Sequence, residues 1–125
     1  MLCESAPQVN VRELISAYND AWNAHDVDAI CALHAARMVF ENHTAGERAE
    51  GDAVRTHIAG IFAAYPDLQF TTRDLRVGDD FAVCEWTART GDREWDGVDV
   101  FPLRDGLILR KDVYSASHRP RERTD

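Results

Sequence analysis

Two aspartates near the last predicted hairpin carry the strongest chemical signal in the sequence. Asp105-Gly106 is a two-residue hairpin turn, so the strands beside it pair outward and place Asp99 opposite Asp112. Facing side chains in such a pair are only ~5 Å apart, and two carboxylates at that distance do not ionise together easily. We therefore predict that one of them has a raised pKa. The alternatives are that both face solvent, or that Arg110 pairs with Asp112.

The histidines are the second group with possible acid–base chemistry, because a histidine titrates near neutral pH. His43 lies in a polar loop, either as an acid/base group or as an ordinary exposed residue. His57 lies on the apolar side of a predicted helix, as a core residue or as a hydrogen-bond donor in a pocket. His34 is expected in the core and His25 at a helix boundary. No two histidines have metal-ligand spacing and the cysteines form no CxxC, so we expect no metal.

Hydrophobic periodicity predicts three helices in the first half of the chain. Apolar residues spaced three and four apart predict the first helix over 11–22. Asp26 can cap a second helix, which is expected to present Ile30 and His34 on one side. A third helix is expected to end before Pro66.

The second half changes to period two, which is typical of strands. A short strand at 38–40 leads into a polar loop over 42–51. Four longer strands are then predicted at about 67–77, 80–90, 94–104 and 107–117. Helices followed by an antiparallel meander predict one α+β domain over 9–117, with a flexible N-terminus at 1–8 and a flexible polar tail at 118–125.

The composition excludes several classes of function. The chain has 125 residues, of which 45% are hydrophobic and 29% charged, as in a soluble globular domain. No apolar run is long enough to span a membrane, and no secretory signal is evident. The net charge of −8 argues against nucleic acid as a partner. Three cysteines without a disulfide pattern indicate a reducing compartment, so we expect a cytoplasmic protein.

Several short motifs follow one another in a characteristic order. They are Tyr18 to Trp22 followed by Asn23-Ala24-His25-Asp26-Val27-Asp28, Phe40-Glu41-Asn42-His43, Gly51, Tyr65-Pro66-Asp67, and Arg104-Asp105-Gly106-Leu107-Ile108. With this element order the chain resembles the nuclear-transport-factor-2-like superfamily, and within it the SnoaL-like polyketide cyclases and the ketosteroid isomerases. The resemblance implies a cone-shaped, cystatin-like α+β fold. Three N-terminal helices would cover the concave face of a curved antiparallel sheet and enclose an apolar pocket, and the convex face would form a homodimer.

The resemblance also implies which residues act in that pocket. Tyr18 and a protonated Asp99 match the oxyanion hole of ketosteroid isomerases. Asp112 falls where limonene-type epoxide hydrolases keep an acid/base aspartate. The isomerase base is an aspartate at the position of Asn42, and an amide takes up no proton at neutral pH, so His43 or Asp112 would serve as the acid/base.

A further set of side chains is expected to contact the ligand, although their default place is the core. These residues are Trp22, Asn42, His57, Phe62, Phe70, Glu85, Phe101 and Tyr114. The strand around Glu85 leaves two phases open. The resemblance places Glu85 inward and Trp86 on the convex face, and the simpler alternative exposes Glu85 and buries Trp86.

These residues predict a small-molecule enzyme that needs no cofactor. It would bind an apolar, carbonyl-bearing ligand and move a proton next to the carbonyl, as an isomerase or cyclase working through an enol(ate). The alternative is a non-catalytic ligand-binding or dimerisation module, which Asn42 at the base position would suit. Epoxide hydrolysis comes third, because the resemblance requires Arg and Asp where Glu85 and Thr87 stand.

Overall fold

Three helices lie in the N-terminal half of the computed structural model, which describes residues 10–116. They are α1 (Val11–Asn23), α2 (Val27–Ala32) and α3 (Ala53–Ala64). The side chains of Asn10 and Asp26 accept hydrogen bonds from backbone N–H groups in the first turns of α1 and α2, so the predicted cap at Asp26 is confirmed. The predicted flexible ends, 1–8 and 118–125, lie outside the described residues.

Six strands form one curved sheet in the order β2-β1-β6-β5-β4-β3. Their bounds are His34–Asn42 (β1), Glu47–Glu50 (β2), Gln69–Val77 (β3), Phe81–Thr90 (β4), Arg93–Arg104 (β5) and Leu107–Ser115 (β6). The four predicted C-terminal strands are confirmed, and the α+β fold class with them. Neighbouring strands run antiparallel except β1 and β6, which pair in parallel, so the sheet is not wholly antiparallel as expected.

The first half of the chain departs from the prediction at two places. His34 is the first residue of β1, because α2 already ends at Ala32. The polar loop contains β2, which pairs antiparallel with the end of β1. β2 has the sequence ERAE and its side chains are largely exposed, so it carries no apolar period-two signal.

The pairing of β5 with β6 contains a register shift that decides which way several charged side chains face. Next to the turn, Leu103 pairs with Ile108, as the hairpin predicts. Farther out, Asp99 pairs with Val113 and not with Asp112. β6 therefore has one residue more than β5 in this stretch, which is a β-bulge.

Pro102 lies opposite the extra residue and explains it physically. A proline has no backbone N–H to donate to a neighbouring strand, and inside a sheet it occurs at edges or bulges. A slip of one residue moves side chains to the opposite face of a sheet. The prediction that Asp99 and Asp112 face each other is therefore wrong, because the bulge separates them onto opposite faces.

The structure also shows which side chains of β4 face the helices, the question that the sequence left open. Trp86 is buried on the concave face, and Glu85 points outward, where its carboxylate lies 3.0 Å from the Arg76 guanidinium. Gly97 pairs with Trp86, and a Cβ there would lie 2.3 Å from the Trp86 ring. Glycine at this position thus lets the indole lie flat across β5.

The hydrophobic core fills the space between α1, α3 and the concave face of the sheet. Its largest fully buried side chains include Tyr18, Phe101, Ile15, Ile30, Met38, Ile58 and Ile108. None of the helices within residues 10–116 combines the length and the apolar character needed to cross a membrane.

Candidate active site

A cavity of about 220 Å³ opens between the concave face and the helices. All six strands contribute side chains to its lining, β2 through Glu47, and α1 and α3 close the other side. Aromatic and aliphatic groups form most of the wall: Trp22, Phe40, Ile61, Leu68, Phe70, Trp86, Trp95 and Val113. Polar groups include Asn19, Asn42, Glu47, Thr72, Arg93, Ser115 and the pair Asp99 and Lys111. The cavity lies between the concave face and the helices, where the resemblance places an apolar ligand pocket, and its use as a ligand pocket stays a prediction.

Asp99 and Lys111 form a buried ion pair in the wall of this cavity. Lys111 Nζ lies 3.6 Å from Asp99 Oδ2, and the side chains are only 7% and 5% exposed. That distance is within ion-pair range but longer than an ordinary hydrogen bond. The bulge places the pair here, because it brings Lys111 to the concave face on which Asp99 lies.

Aromatic rings surround the Lys111 ammonium. Its Nζ lies 3.8 Å from the ring centroid of Trp22, 5.1 Å from Tyr18, 5.4 Å from Phe40 and 5.8 Å from Phe101. Cations are attracted to aromatic faces within about 6 Å, and more strongly when both groups are out of water. We call Trp22, Tyr18, Phe40 and Phe101 the aromatic cage. This cage offsets part of the cost of burying a positive charge.

Burial favours the neutral forms of both members of the pair. It raises the pKa of the Asp99 carboxyl, and the positive charge of Lys111 opposes that rise. It lowers the pKa of the Lys111 amine, and the negative charge of Asp99 opposes that fall. A raised carboxyl pKa and a lowered amine pKa are both closer to neutral pH, where a group exchanges protons most readily. The expected raised aspartate pKa thus falls on Asp99, through burial rather than through Asp112.

Three buried polar atoms on cavity-lining side chains have no hydrogen-bond partner within residues 10–116. They are Asp99 Oδ1, Trp22 Nε1 and Trp86 Nε1. A buried polar atom without a partner costs free energy, so each such atom in a folded protein needs an explanation. One acceptor and two donors around a cavity are suited to a ligand that carries its own polar group.

Tyr18 lies behind the cavity wall and is fully buried. Its hydroxyl is hydrogen-bonded to His34 Nε2 at 2.8 Å. Burial, followed by the positive charge of Lys111, lowers the pKa of His34 to about 4, so this histidine is neutral at pH 7. The Tyr18–His34 hydrogen bond fixes this member of the aromatic cage behind the wall, and the Tyr18 hydroxyl does not reach the cavity as an oxyanion donor would.

Asp112 and His43 lie on the outer face of the sheet, away from the cavity. His43 Nε2 is 2.8 Å from Asp112 Oδ1, and the His43 ring stacks on Tyr114 with centroids 4.5 Å apart. Arg110 donates to Asp112 at 2.8 Å and to Glu41 at 3.0 Å. Hydrogen bonds from Arg110 are the main reason why the pKa of Asp112 is lowered. The alternative in which Arg110 pairs with Asp112 is the one that the structure contains.

The same outer cluster has the residue types that metal ions bind. Ligand atoms of Glu41, His43 and Asp112 lie within 4.8 Å of one another. Arg110 already bonds both carboxylates, and a cation would have to displace its guanidinium. We therefore regard the cluster as an ion-pair network.

The expected ligand contacts divide into three groups. Trp22, Asn42 and Phe70 line the cavity. His57, Phe62 and Phe101 pack behind its wall, with Phe40, Trp22 and Tyr18 respectively as aromatic neighbours. Glu85 and Tyr114 point outward, so neither contacts the cavity.

The sequence analysis missed Lys111, Trp86 and Trp95 as cavity residues. Two signals were available in the sequence. Pro102 inside a predicted central strand indicates a bulge. Lys111 is the sole lysine in the chain, and it stands among strand residues whose faces a bulge would exchange.

The curved sheet, the three helices and the cavity between them define a cystatin-like α+β domain of the nuclear-transport-factor-2-like kind. Residues 15–111 match the SnoaL-like domain family, and the chain belongs to that family. This confirms the resemblance inferred from the motifs. No match is found among curated proteins.

Similar solved structures include an uncharacterised cystatin-fold protein from Novosphingobium aromaticivorans. It is 21% identical, with a TM-score of 0.76 over 84% of this chain and 97% of the other. A candidate ketosteroid isomerase from Kribbella flavida is 27% identical, with a TM-score of 0.73 over 90% and 84% of the two chains. SalBIII, an epoxide hydrolase/cyclase-like enzyme in pyran ring formation of the polyether salinomycin, is 22% identical, with a TM-score of 0.73 over 85% and 90%.

Proposed function

We propose that this protein is an enzyme that moves a proton on the carbon next to the carbonyl of a small apolar substrate, through an enol or enolate and without a cofactor. The observation that carries the proposal is the Asp99–Lys111 pair, buried in the wall of an aromatic cavity. Burying two charges costs several kcal/mol per ion before their attraction is counted, so an ion pair in an apolar wall is weak evidence for a structural role.

Asp99 is the proposed base. Its Oδ1 has no partner within residues 10–116, so a lone pair is free to accept a proton from a substrate carbon. General bases work best when their pKa lies near the working pH, and burial moves the Asp99 pKa in that direction. This role differs from the expectation that a protonated Asp99 donates a hydrogen bond to the oxyanion.

Lys111 is the proposed oxyanion stabiliser. Removing the proton leaves negative charge on the carbonyl oxygen, and a buried ammonium fixed beside it stabilises that charge more than water does. Lys111 takes over the part expected of Tyr18, whose hydroxyl is bonded to His34. The aromatic wall binds the apolar body of the substrate and keeps water from the enolate.

The family supports the same class of reaction. The name of the Kribbella flavida protein describes isomerase chemistry on this fold, and that of SalBIII describes epoxide hydrolase/cyclase-like chemistry. Epoxide hydrolysis, the third expectation, is not proposed. The resemblance assigns the water-activating residues of that reaction to the positions of Glu85 and Thr87. Both residues point to the outer face of the sheet, because they alternate along β4 with the inward-facing Trp86.

The test begins with a thermal-shift screen of conjugated and β-dicarbonyl ketones, followed by NMR in D₂O to follow loss of the α-proton signal. Asp99→Asn should slow this exchange by about 10²-fold or more, as expected for loss of a general base. Asp112→Asn is the matched control, since it makes the same change on the outer face and should leave the exchange rate unaltered.

Two outcomes would contradict the proposal. If Asp99→Asn and Asp112→Asn exchange the α-proton at the wild-type rate, Asp99 is not the base. If ketones bind tightly and none loses an α-proton faster than in buffer, the protein is the non-catalytic ligand-binding module considered in the sequence analysis.

A further inference from the structure

The choice of lysine at position 111 calls for an explanation. The 125 residues include thirteen arginines and a single lysine, Lys111. Arginine is the better residue for a buried ion pair, because its fork matches a carboxylate and it is always charged. Lysine offers what arginine lacks, which is an amine that can lose its proton and attack a carbonyl carbon.

We propose that Lys111 forms an imine with the substrate carbonyl, so that the substrate is an unhindered ketone or aldehyde with a hydrogen on the adjacent carbon. The inference rests on the proposed function, which is removal of the α-proton by Asp99, and it replaces the enol or enolate beside a Lys111 ammonium with an enamine bonded to Lys111. In this mechanism the protonated imine, and not a hydrogen-bonded carbonyl, accepts the electrons released when the α-proton leaves.

Each step of the mechanism uses groups that the cavity supplies. Asp99 takes a proton from the Lys111 ammonium, and the neutral amine adds to the carbonyl carbon, with a proton passing from nitrogen to oxygen to give a carbinolamine. Asp99 returns its proton to the hydroxyl, water leaves, and the C=N bond of a protonated imine forms. The Asp99 carboxylate then removes the α-proton. The C–H electron pair forms a C=C bond and the π pair of the C=N bond moves to nitrogen, giving a neutral enamine. Reprotonation on carbon and addition of water release the product and the amine.

The surroundings of Lys111 suit a protonated imine as well as an ammonium. Both carry one positive charge at the same nitrogen, so the aromatic cage and Asp99 stabilise both species. The 3.6 Å separation from Asp99 Oδ2 leaves the amine free of a tight hydrogen bond. Asp99 Oδ1, which has no partner within the described residues, remains available for the α-proton.

The electrostatics of the site agree with the geometry. Burial lowers the pKa of the Lys111 amine, which increases the fraction in the nucleophilic, neutral form. Burial raises the pKa of Asp99, which makes it a more effective acceptor for the amine's proton.

Borohydride trapping tests the covalent bond directly. The full chain is incubated with 4-phenylbutan-2-one and sodium borohydride, which reduces an imine to a stable secondary amine, and the adduct is mapped by peptide mass spectrometry. The α-amino group of the chain is the only other primary amine and serves as an internal reference. We expect one adduct, on Lys111, in wild type and in Asp112→Asn, and its loss in Lys111→Arg. An adduct confined to the α-amino group would overturn the inference, and this result needs no variant to fold.

Isotope exchange separates failure of the inference from failure of the proposed function. Imine formation and hydrolysis replace the ketone oxygen with oxygen from H₂¹⁸O, whereas a hydrogen-bonded enolate does not. We expect ¹⁸O and α-deuterium to enter 4-phenylbutan-2-one at least ~10-fold faster with protein than without, a modest demand for acid–base catalysis. Deuterium without ¹⁸O would retain the proposed function and refute the imine. The Lys111 adduct with ¹⁸O but without deuterium would retain the imine and refute proton transfer, and absence of both labels and of the adduct would overturn both.

Discussion

Lys111→Met is the substitution that examines the buried pair most directly. It removes the ammonium and keeps an unbranched side chain in the aromatic cage, so Asp99 stays buried and loses its counter-charge. Removing one partner of a buried ion pair costs about 3–5 kcal/mol, because the remaining charge is uncompensated. Domains of this kind have a total stability of about 5–15 kcal/mol, so the variant should fold with a much reduced free energy of unfolding.

The loss of stability in Lys111→Met should depend on pH, because it depends on whether Asp99 is ionised. Burial raises the folded-state pKa of Asp99 above its unfolded value of ~3.9, and Lys111→Met removes the main influence that opposes that rise. For a group with a raised folded-state pKa, the stabilisation is fully present below the unfolded pKa and is lost as the pH rises through the folded pKa. Lys111→Met should therefore approach wild-type stability near pH 4 and lose most at pH 7.

Urea unfolding at a series of pH values measures this effect. The double variant Asp99→Asn with Lys111→Met should recover most of the loss at pH 7, since no buried charge remains. Arg76→Met is the matched control, because it removes an exposed ion pair with Glu85 and should cost no more than about 1 kcal/mol. Equal losses for Lys111→Met and Arg76→Met, or a double variant no more stable than the single one, would refute the reasoning.

Three further predictions concern the wall, the support and the outer face of the site. Gly97→Ala would place a Cβ 2.3 Å from the Trp86 ring, so we expect a loss of about 1–3 kcal/mol in urea unfolding together with weaker ligand binding; an unchanged midpoint would show that Trp86 moves aside freely. His34, with its pKa lowered to about 4 by burial, should stay neutral from pH 5 to 8 in an NMR titration, and a midpoint near 6.5 would contradict its burial. We also propose a homodimer through the outer face, where Val98 and the 46%-exposed Tyr114 are paired; sedimentation should give a dimer that Val98→Arg converts to monomer, and a wild-type monomer at micromolar concentration would argue against it.

Local signals in the sequence were sufficient for the elements themselves. The cap at Asp26, the end of α3 before Pro66 and the turn at Asp105-Gly106 all depend on a few neighbouring residues, and the structure has each of them. The motifs placed the chain in its family for the same reason, and they also selected Asp99, which is buried in the cavity wall. The strand β2 was missed because its charged side chains carry no periodic apolar signal.

Which side chains lie together in the cavity wall depended on the register in which β5 pairs with β6. Lys111 and Asp112 are neighbours on β6, and either could lie beside Asp99 of β5. A hairpin without a bulge would have placed the two aspartates opposite each other on one face. The extra residue opposite Pro102 instead brings Lys111 beside Asp99 and sends Asp112 to Arg110 on the outer face. Because side chains alternate between faces along a strand, one inserted residue exchanges which charges are buried together, and that insertion is a property of two paired strands rather than of either alone.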